Sequence, residues 1–300
     1  MRSICLNIEK RRTLGHHHLS VERAVPHSTA PRERASPTQP FPTKPPPFER
    51  QGFTDDDVID FTPELRKQAL EILRDYDRGP LFTPPSERGA VLLPGHGGGA
   101  NYGGTSFDPE TGMLYVPSVT SPIVGKIVPG DPKRGTASFR HSAAIGLPTL
   151  DGLLLVKPPY ARITAYDLGK GEIVWQVPLG DGPRRHPLLA GRDVGPLGSD
   201  GKGHPLLTKS LLFVSLSRPV ARGGEKPVPV GGRPLSKLPP EAPKFRAFDK
   251  KHGRMVWEYV MPKQPAATPM TYSHLGRQYV VVAIGSGDDA ELVAFALRPR

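Results

Sequence analysis

The sequence predicts an all-β protein built from repeated units, with one helix on its periphery. Two observations carry that prediction. The frame Ala-x-Asp-x-x-x-Gly-x-x-x-Trp occurs at 165–175 and again at 247–257, and it holds both tryptophans of the 300-residue chain. Its Asp can accept hydrogen bonds from turn amides and its Gly tolerates the positive φ of a tight hairpin, so each copy reads as strand, turn and strand. A weaker copy, Phe107 to Val116, keeps Asp108 and Gly112 at the same separation but has no Trp. Three such units in one chain indicate a repeat architecture. The second observation is compositional: 33 Gly and 37 Pro favour turns and short strands over long helices.

Taken in order, residues 1–35 form a basic tail, with seven Lys/Arg against three Glu and no sustained apolar run, and are expected to be disordered. An export signal needs an apolar core of about 7–15 residues after its basic start. Ser3 to Ile8 is too short and runs into Lys10-Arg11-Arg12, so no export signal is visible. His16-His17-His18 has no accompanying ligand cluster and reads as solvated. The Pro-rich run Pro37 to Pro47 is expected to be extended. A helix follows: Thr62 caps it, Pro63 suits its first position, and Leu65, Ala69, Ile72 and Leu73 share a face until Gly79-Pro80. Asp55-Asp56-Asp57 ahead of it lacks the ligand alternation of a calcium loop and reads as a solvated acidic stretch.

Strands then dominate. They are expected at 90–93, 113–116, 162–166, 173–177, 211–216, 245–248, 255–260, 278–284 and 292–297, each β-rich and bounded by Gly, Pro or Asp. The Trp frames lie 82 residues apart, more than a minimal four-stranded unit of about 40–50 residues requires. Residues 218–243, with seven prolines and four glycines, are the expected insertion. Across 218–254 ten Lys/Arg face three Asp/Glu, which reads as a solvated surface loop. The formal charge of +11 raises nucleic-acid binding, but the basic residues are spread among loops and no recognised module is present, so no nucleic-acid partner is expected.

The Trp frame resembles the tryptophan-docking motif of the quinoprotein dehydrogenases, whose propeller carries pyrroloquinoline quinone (PQQ). The segments Pro37-Thr38-Gln39-Pro40-Phe41, Phe82-Thr83-Pro84-Pro85-Ser86, Gly97 to Gly104 and Ala267 to Tyr272 are similar to landmarks of the membrane-bound, glucose-dehydrogenase-like branch, in its order. The resemblance covers 36–298 and corresponds to the C-terminal half of such an enzyme. It implies a partial β-propeller over 36–300, with PQQ and calcium as cofactors, a sugar or alcohol substrate, a quinone or cytochrome acceptor and a periplasmic or membrane-associated location. The implied reaction is hydride transfer from the substrate to PQQ.

The Gly-rich stretch Gly97-Gly98-Gly99-Ala100-Asn101-Tyr102-Gly103-Gly104 lets backbone approach a flat ligand closely, and an Asn amide both donates and accepts. It lacks the ending and the strand-to-helix setting of a phosphate loop. By resemblance this loop reaches the cofactor chamber, which makes Asn101 and Tyr102 the cofactor-binding candidates, with Tyr102 standing where the family usually has Trp. The family's catalytic Asp and most calcium ligands have no counterpart here, so the chain is expected to be truncated, inactive alone and open to a complementary propeller chain. No catalytic or metal residue is assigned. His141, His186 and His204 read as solvated loop residues, and Tyr272 with His274 as neighbours on one strand face. The alternative is a non-catalytic propeller of similar repeats serving as an interaction scaffold.

Overall fold

The computed structural model describes residues 20–30, 33–100, 103–131, 133, 135–142, 145–199, 201–217 and 242–297. Three antiparallel sheets organise it. The first has four strands, in chain order Ser106–Asp108, Met113–Val119, Ala161–Asp167 and Glu172–Pro178. The second repeats that order with Lys202–Leu207, Leu211–Ser217, Lys244–Asp249 and Met255–Val260. The third comprises Met270–His274, Arg277–Ile284 and Glu291–Ala296. Every strand expected from the sequence is present, with ends moved by at most three residues and 255–260 unchanged.

Both Trp frames form the hairpin between the third and fourth strands of their sheets. Asp167 Oδ1 accepts from the Lys170 amide at 3.1 Å, and Asp249 Oδ1 from the Lys251 and His252 amides at 2.8 and 3.0 Å. Gly171 and Gly253 close the turns at φ +66° and +71°. In both hairpins the register shifts directly after the alanine, so that Ala165 lies opposite Trp175 and Ala247 opposite Trp257. The weaker copy is the hairpin between the first two strands of the first sheet. It therefore belongs to the same sheet as the 165–175 frame and adds no further repeat, although its Asp108 and Gly112 make the expected turn.

The frame joins one sheet to the next. Trp175 Nε1 donates to the Lys250 carbonyl at 3.3 Å, across the seam between the first and second sheets. The indole lies so close to Gly253 that a Cβ there would stand 2.7 Å from Trp175 Cε3. Lys250 also sends its ammonium to Asp108 Oδ2 at 2.6 Å, where both side chains are largely buried. Tyr115, Ala165, Leu212, Val214 and Phe248 fill the space between the sheets. At the next seam Trp257 packs edge-on against Phe295 of the third sheet, with Phe245, Val280 and Val282 beneath.

The helix spans Pro63–Leu73, capped by Thr62 Oγ1 accepting from the Leu65 amide. Its buried Leu65, Ala69 and Leu73 join a separate apolar cluster with Phe53, Val91, Leu153 and Val156. The acidic stretch before it is engaged by arginines, Asp55 by Arg78 at 2.8 Å and Asp57 by Arg50 at 3.3 Å. Two expectations change at the N-terminal side. Ser20–Ala24, within the segment expected to be disordered, is a strand paired with Thr38–Pro42 in the Pro-rich run. Residues 46–49 then lie against the first sheet: the Tyr166 hydroxyl donates to the Pro46 carbonyl at 2.7 Å, and buried Glu49 meets buried Arg162 at 3.2 Å. Backbone acceptors explain the change, since Pro lacks a donor but its carbonyl remains available. The basic insertion at 218–241 and the triple histidine lie outside the described residues. No helix among the described residues is long and apolar enough to cross a membrane.

Two predictions test the seam. Gly253 and Gly276 share nearly the same left-handed φ, +71° and +73°, but only Gly253 faces a neighbour. Substitution of each by Ala incurs the same backbone strain, so Gly253→Ala is expected to lower unfolding free energy by about 1–3 kcal/mol more than Gly276→Ala, measured by urea denaturation. The second concerns Asp108. Burial pushes its carboxyl up, but hydrogen bonds from Lys250, Thr111 and the Glu110 amide outweigh that and hold it below the usual value. A depressed folded value means its stabilisation is complete above the unfolded pKa of about 3.9 and is lost as pH falls through the lower folded value. Lys250→Met should cost about 3–5 kcal/mol near pH 7 by stranding a buried carboxylate, and should lose less stability than wild type between about pH 5 and pH 3, read from melting curves across that range.

Candidate functional site

A cavity of about 100 Å³ opens where the Gly-rich loop, the end of the Met113–Val119 strand and the start of the Lys202–Leu207 strand converge. Its walls include Gly97, Gly99, Gly103, Ser118, Lys202 and Gly203. Three backbones approach closely here because glycine removes the Cβ atoms. A Cβ on Gly103 would stand 2.2 Å from the Gly203 carbonyl oxygen, and one on Gly203 would stand 2.5 Å from Pro117 Cβ. The loop is held by the Val119 amide donating to the Gly99 carbonyl at 2.8 Å and by Gly98 donating to Gly95 at 2.9 Å.

A buried ionic network braces the rim. Arg162 Nη1 donates to Glu49 Oε1 at 3.2 Å and to the Phe48 carbonyl at 3.0 Å, while Nη2 donates to the Pro159 carbonyl at 2.7 Å and to Thr120 Oγ1. Thr120 Oγ1 in turn donates to Glu49 Oε2 at 2.7 Å. Burial lowers the Arg162 pKa against the support of Glu49, and a guanidinium keeps its charge in proteins. Thr120 lies between Val119 and Ser121 on the cavity wall, so this network fixes the chain where the wall turns away from its strand.

Within the wall, Ser118 is 4% exposed and its Oγ has no hydrogen-bond partner among the described residues. An unpaired buried hydroxyl costs about 1–3 kcal/mol, and this one borders open space. Asn101 and Tyr102, the candidates on the same loop, lie outside the described residues, two positions beyond Gly99 and immediately before Gly103. Sequence reasoning found the loop but missed Ser118 and Lys202, which meet it only through the seam between the first two sheets.

The histidines separate by environment. His186 was expected to be solvated, but it is 2% exposed; its Nδ1 accepts from the Leu188 amide at 3.1 Å and caps the short helix Pro187–Leu189. His204 is a strand residue, lowered in pKa by burial and then by Lys202. His141 ends a short strand and meets His96 ring to ring at 4.7 Å. Tyr272 stacks on Tyr279 at 5.1 Å as an ordinary cross-strand neighbour, opposite it in the register. Among the described residues no group of three or more His, Cys, Asp or Glu side chains is placed to hold a metal ion.

The sequence matches the family described as PQQ: Glucose/ethanol/alcohol dehydrogenase, beta-propeller domain, over residues 12–280. The chain belongs to this family. Its sheets are blades of a partial β-propeller, the architecture the resemblance implies. Among curated relatives, the glycerol dehydrogenase large subunit of Gluconobacter oxydans is 27% identical over 292 residues, covering 88% of this chain and 36% of the relative. The quinoprotein glucose dehydrogenase of Escherichia coli is 28% identical over 289 residues, covering 88% of this chain and 33% of the relative. This chain thus spans about a third of the length of these relatives. A solved structure, the quinohemoprotein alcohol dehydrogenase of Comamonas testosteroni, is 22% identical with a TM-score of 0.38, covering 65% of this chain and 23% of its own.

The donor set suits one part of PQQ and not calcium. Glycine backbone and a buried hydroxyl with no partner among the described residues suit an oxygen group at the edge of a flat ligand, but a volume of about 100 Å³ is below the roughly 300 Å³ at which ligand pockets begin to enclose a whole small molecule. For calcium, which takes 6–8 oxygen ligands, the described residues supply no acidic cluster.

The close approach at Gly103 gives a prediction. Gly103→Ala should destabilise the protein by about 1–3 kcal/mol by driving the loop off the second sheet. Gly135→Ala, where a Cβ meets nothing within 4 Å, should change stability by no more than about 0.5 kcal/mol. Chemical denaturation of both variants checks the pair.

Proposed function

We propose that this chain is part of a PQQ-dependent dehydrogenase, supplying propeller blades and one wall of the cofactor chamber to an enzyme that oxidises a sugar or alcohol. The observation that carries the reading is the meeting of the Gly-rich loop with two blades at a cavity whose buried Ser118 hydroxyl has no partner among the described residues, in a chain of this family. PQQ, when bound, supplies an electrophilic quinone that accepts hydride, with the electrons passed on to a quinone or cytochrome.

The chain's own residues position and shield. Glycine backbone lets a flat ring lie close to the loop, and the Glu49–Arg162–Thr120 network holds the wall against it. Asn101 is proposed to hydrogen bond to the cofactor's oxygens and Tyr102 to cover its ring. Among the described residues no group of three or more His, Cys, Asp or Glu is placed to hold a metal, and the metal set and the catalytic base are assigned to the remaining two thirds of the enzyme, on a complementary propeller chain or in a longer polypeptide. The assembled enzyme is proposed to work in the periplasm or at the membrane, with no nucleic-acid partner.

The test is a titration of the full 300-residue chain with PQQ, followed by fluorescence, beside a dye-reduction assay with glucose, glycerol and ethanol in the presence of PQQ and calcium. Saturable binding, weakened about tenfold by Asn101→Ala, with no dye reduction, is the expected result. Absence of binding would overturn the cofactor reading in favour of a scaffold propeller, and turnover by the chain alone would overturn the assignment of the base and metal elsewhere.

A further inference from the structure

We infer that the third sheet takes a fourth strand from outside the described residues, laid antiparallel along Glu291–Ala296 and under Trp257. This rests on the reading of the chain as one part of a larger propeller, and adds to it the place where the rest attaches. It is independent of the cofactor.

The three sheets can be compared position by position. Tyr166, Phe248 and Phe295 lie opposite Leu114, Leu212 and Val280 on the second strands of their sheets. That register aligns Ala165-Tyr166-Asp167 and Ala247-Phe248-Asp249 with Ala294-Phe295-Ala296. In the first two sheets the Asp accepts from turn amides and the chain returns as a fourth strand. Ala296 stands where that Asp would be, so the third strand has no carboxylate to hold such a turn. Among the described residues the sheet ends at Glu291–Ala296.

Exposure shows the consequence. Ala165 and Ala247 are 0% and 1% exposed, whereas Ala294 is exposed. On the fourth strand of the first sheet Ile173, Trp175 and Val177 are half-buried; the corresponding Met255, Trp257 and Tyr259 are 50%, 37% and 44% exposed. Trp175 donates to the Lys250 carbonyl, and among the described residues the Trp257 indole has no such acceptor. Trp257 and Tyr259 stand over Phe295 at the free edge. That edge is an apolar run, Leu-Val-Ala-Phe-Ala, with neither Lys nor Pro to block pairing.

The slot fits one strand and continues the seam that the first two sheets already make. Trp175 rests on the turn that leads into the fourth strand of the second sheet. What lies under Trp257 should repeat that arrangement: an extended backbone bonded to Glu291–Ala296, apolar side chains alternating toward the ring, a glycine beneath it and a carbonyl for Nε1. A second copy of this chain joined edge to edge would bring its own second sheet over the same slot, where Met255–Val260 already stands.

The experiment titrates the full 300-residue chain with a fluorescent peptide copying residues 250–260, the turn and fourth strand of the second sheet. Two further peptides carry backbone N-methyl groups, one at the positions of Met255, Trp257 and Tyr259 and the other at those of Val256, Glu258 and Val260. An added strand bonds through one edge only, and alternate amides point to that edge. The unmodified peptide should therefore bind saturably and slow amide hydrogen exchange at Glu291–Ala296 at least about tenfold. One methylated set should weaken binding at least about tenfold, and the other should leave it within about twofold. Ala294→Lys, at an exposed position, should keep the melting temperature and lose the binding. Absence of saturable binding, protection elsewhere than Glu291–Ala296, or equal effects of the two methylated sets would each overturn the strand. PQQ is absent from this titration, so its failure would leave the cofactor reading to its own test.

Discussion

The structure depends on the seating of Trp175 over Gly253. A four-stranded sheet has two faces and cannot bury both by itself, so a repeat of this kind holds together only through the seams between sheets. At the first seam one hairpin supplies the ring and the next supplies the place where it rests. Gly253 is required twice over, by its left-handed backbone and by the indole directly above it. Lys250, three residues earlier, serves the seam at both ends, accepting from the indole through its carbonyl and neutralising buried Asp108 with its ammonium. Ala165 lies opposite Trp175 in the hairpin, where a larger side chain would compete with the ring for the space over the strands. Each copy of the frame can therefore act as donor of a ring on one side and as acceptor of one on the other.

The cavity is a product of the same seam. The contact between the first and second sheets that seats Trp175 also brings the start of the Lys202–Leu207 strand beside the end of the Met113–Val119 strand. Without it, Ser118 would face solvent and Lys202 would be one basic residue among forty Lys and Arg. The buried Glu49–Arg162 pair acts from the other direction, tying the Pro-rich segment to the first sheet behind the cavity wall. Its energetic contribution is better understood as placement than as stability, because removing two charges from water offsets much of what their attraction gains.

The parts of this architecture readable from the residues were those governed by local rules. The Asp and Gly of the hairpins, the Thr62-Pro63 start of the helix and the short β-rich runs all carry their reasons within a few positions of themselves. Residues whose roles depend on distant partners were not readable. Nothing near Ser118 distinguishes it from any other serine in a strand, and its missing partner is a property of the space across the seam. His186 looked like a loop histidine because its capping of Pro187–Leu189 rests on a short turn too brief to show a period. The Phe107 hairpin failed as a separate repeat for a related reason. Asp and Gly specify a turn, and only the Trp specifies a seam, so a hairpin without it joins the sheet it already belongs to.

The chemistry of these residues divides cleanly. At the cavity the chain presents glycine backbone and the Ser118 hydroxyl, with Lys202 in the wall. Four of its buried or half-buried carboxylates are engaged elsewhere: Asp108 with Lys250, Glu49 with Arg162, and Asp181 and Glu258 with Lys244 and Arg246. Each of these acids is held by a cation in a blade or between blades, so taking one for a metal or for proton abstraction would leave a buried positive charge behind it, at a cost of several kcal/mol. The acids at these contacts serve to hold the first two sheets and the Pro-rich segment together.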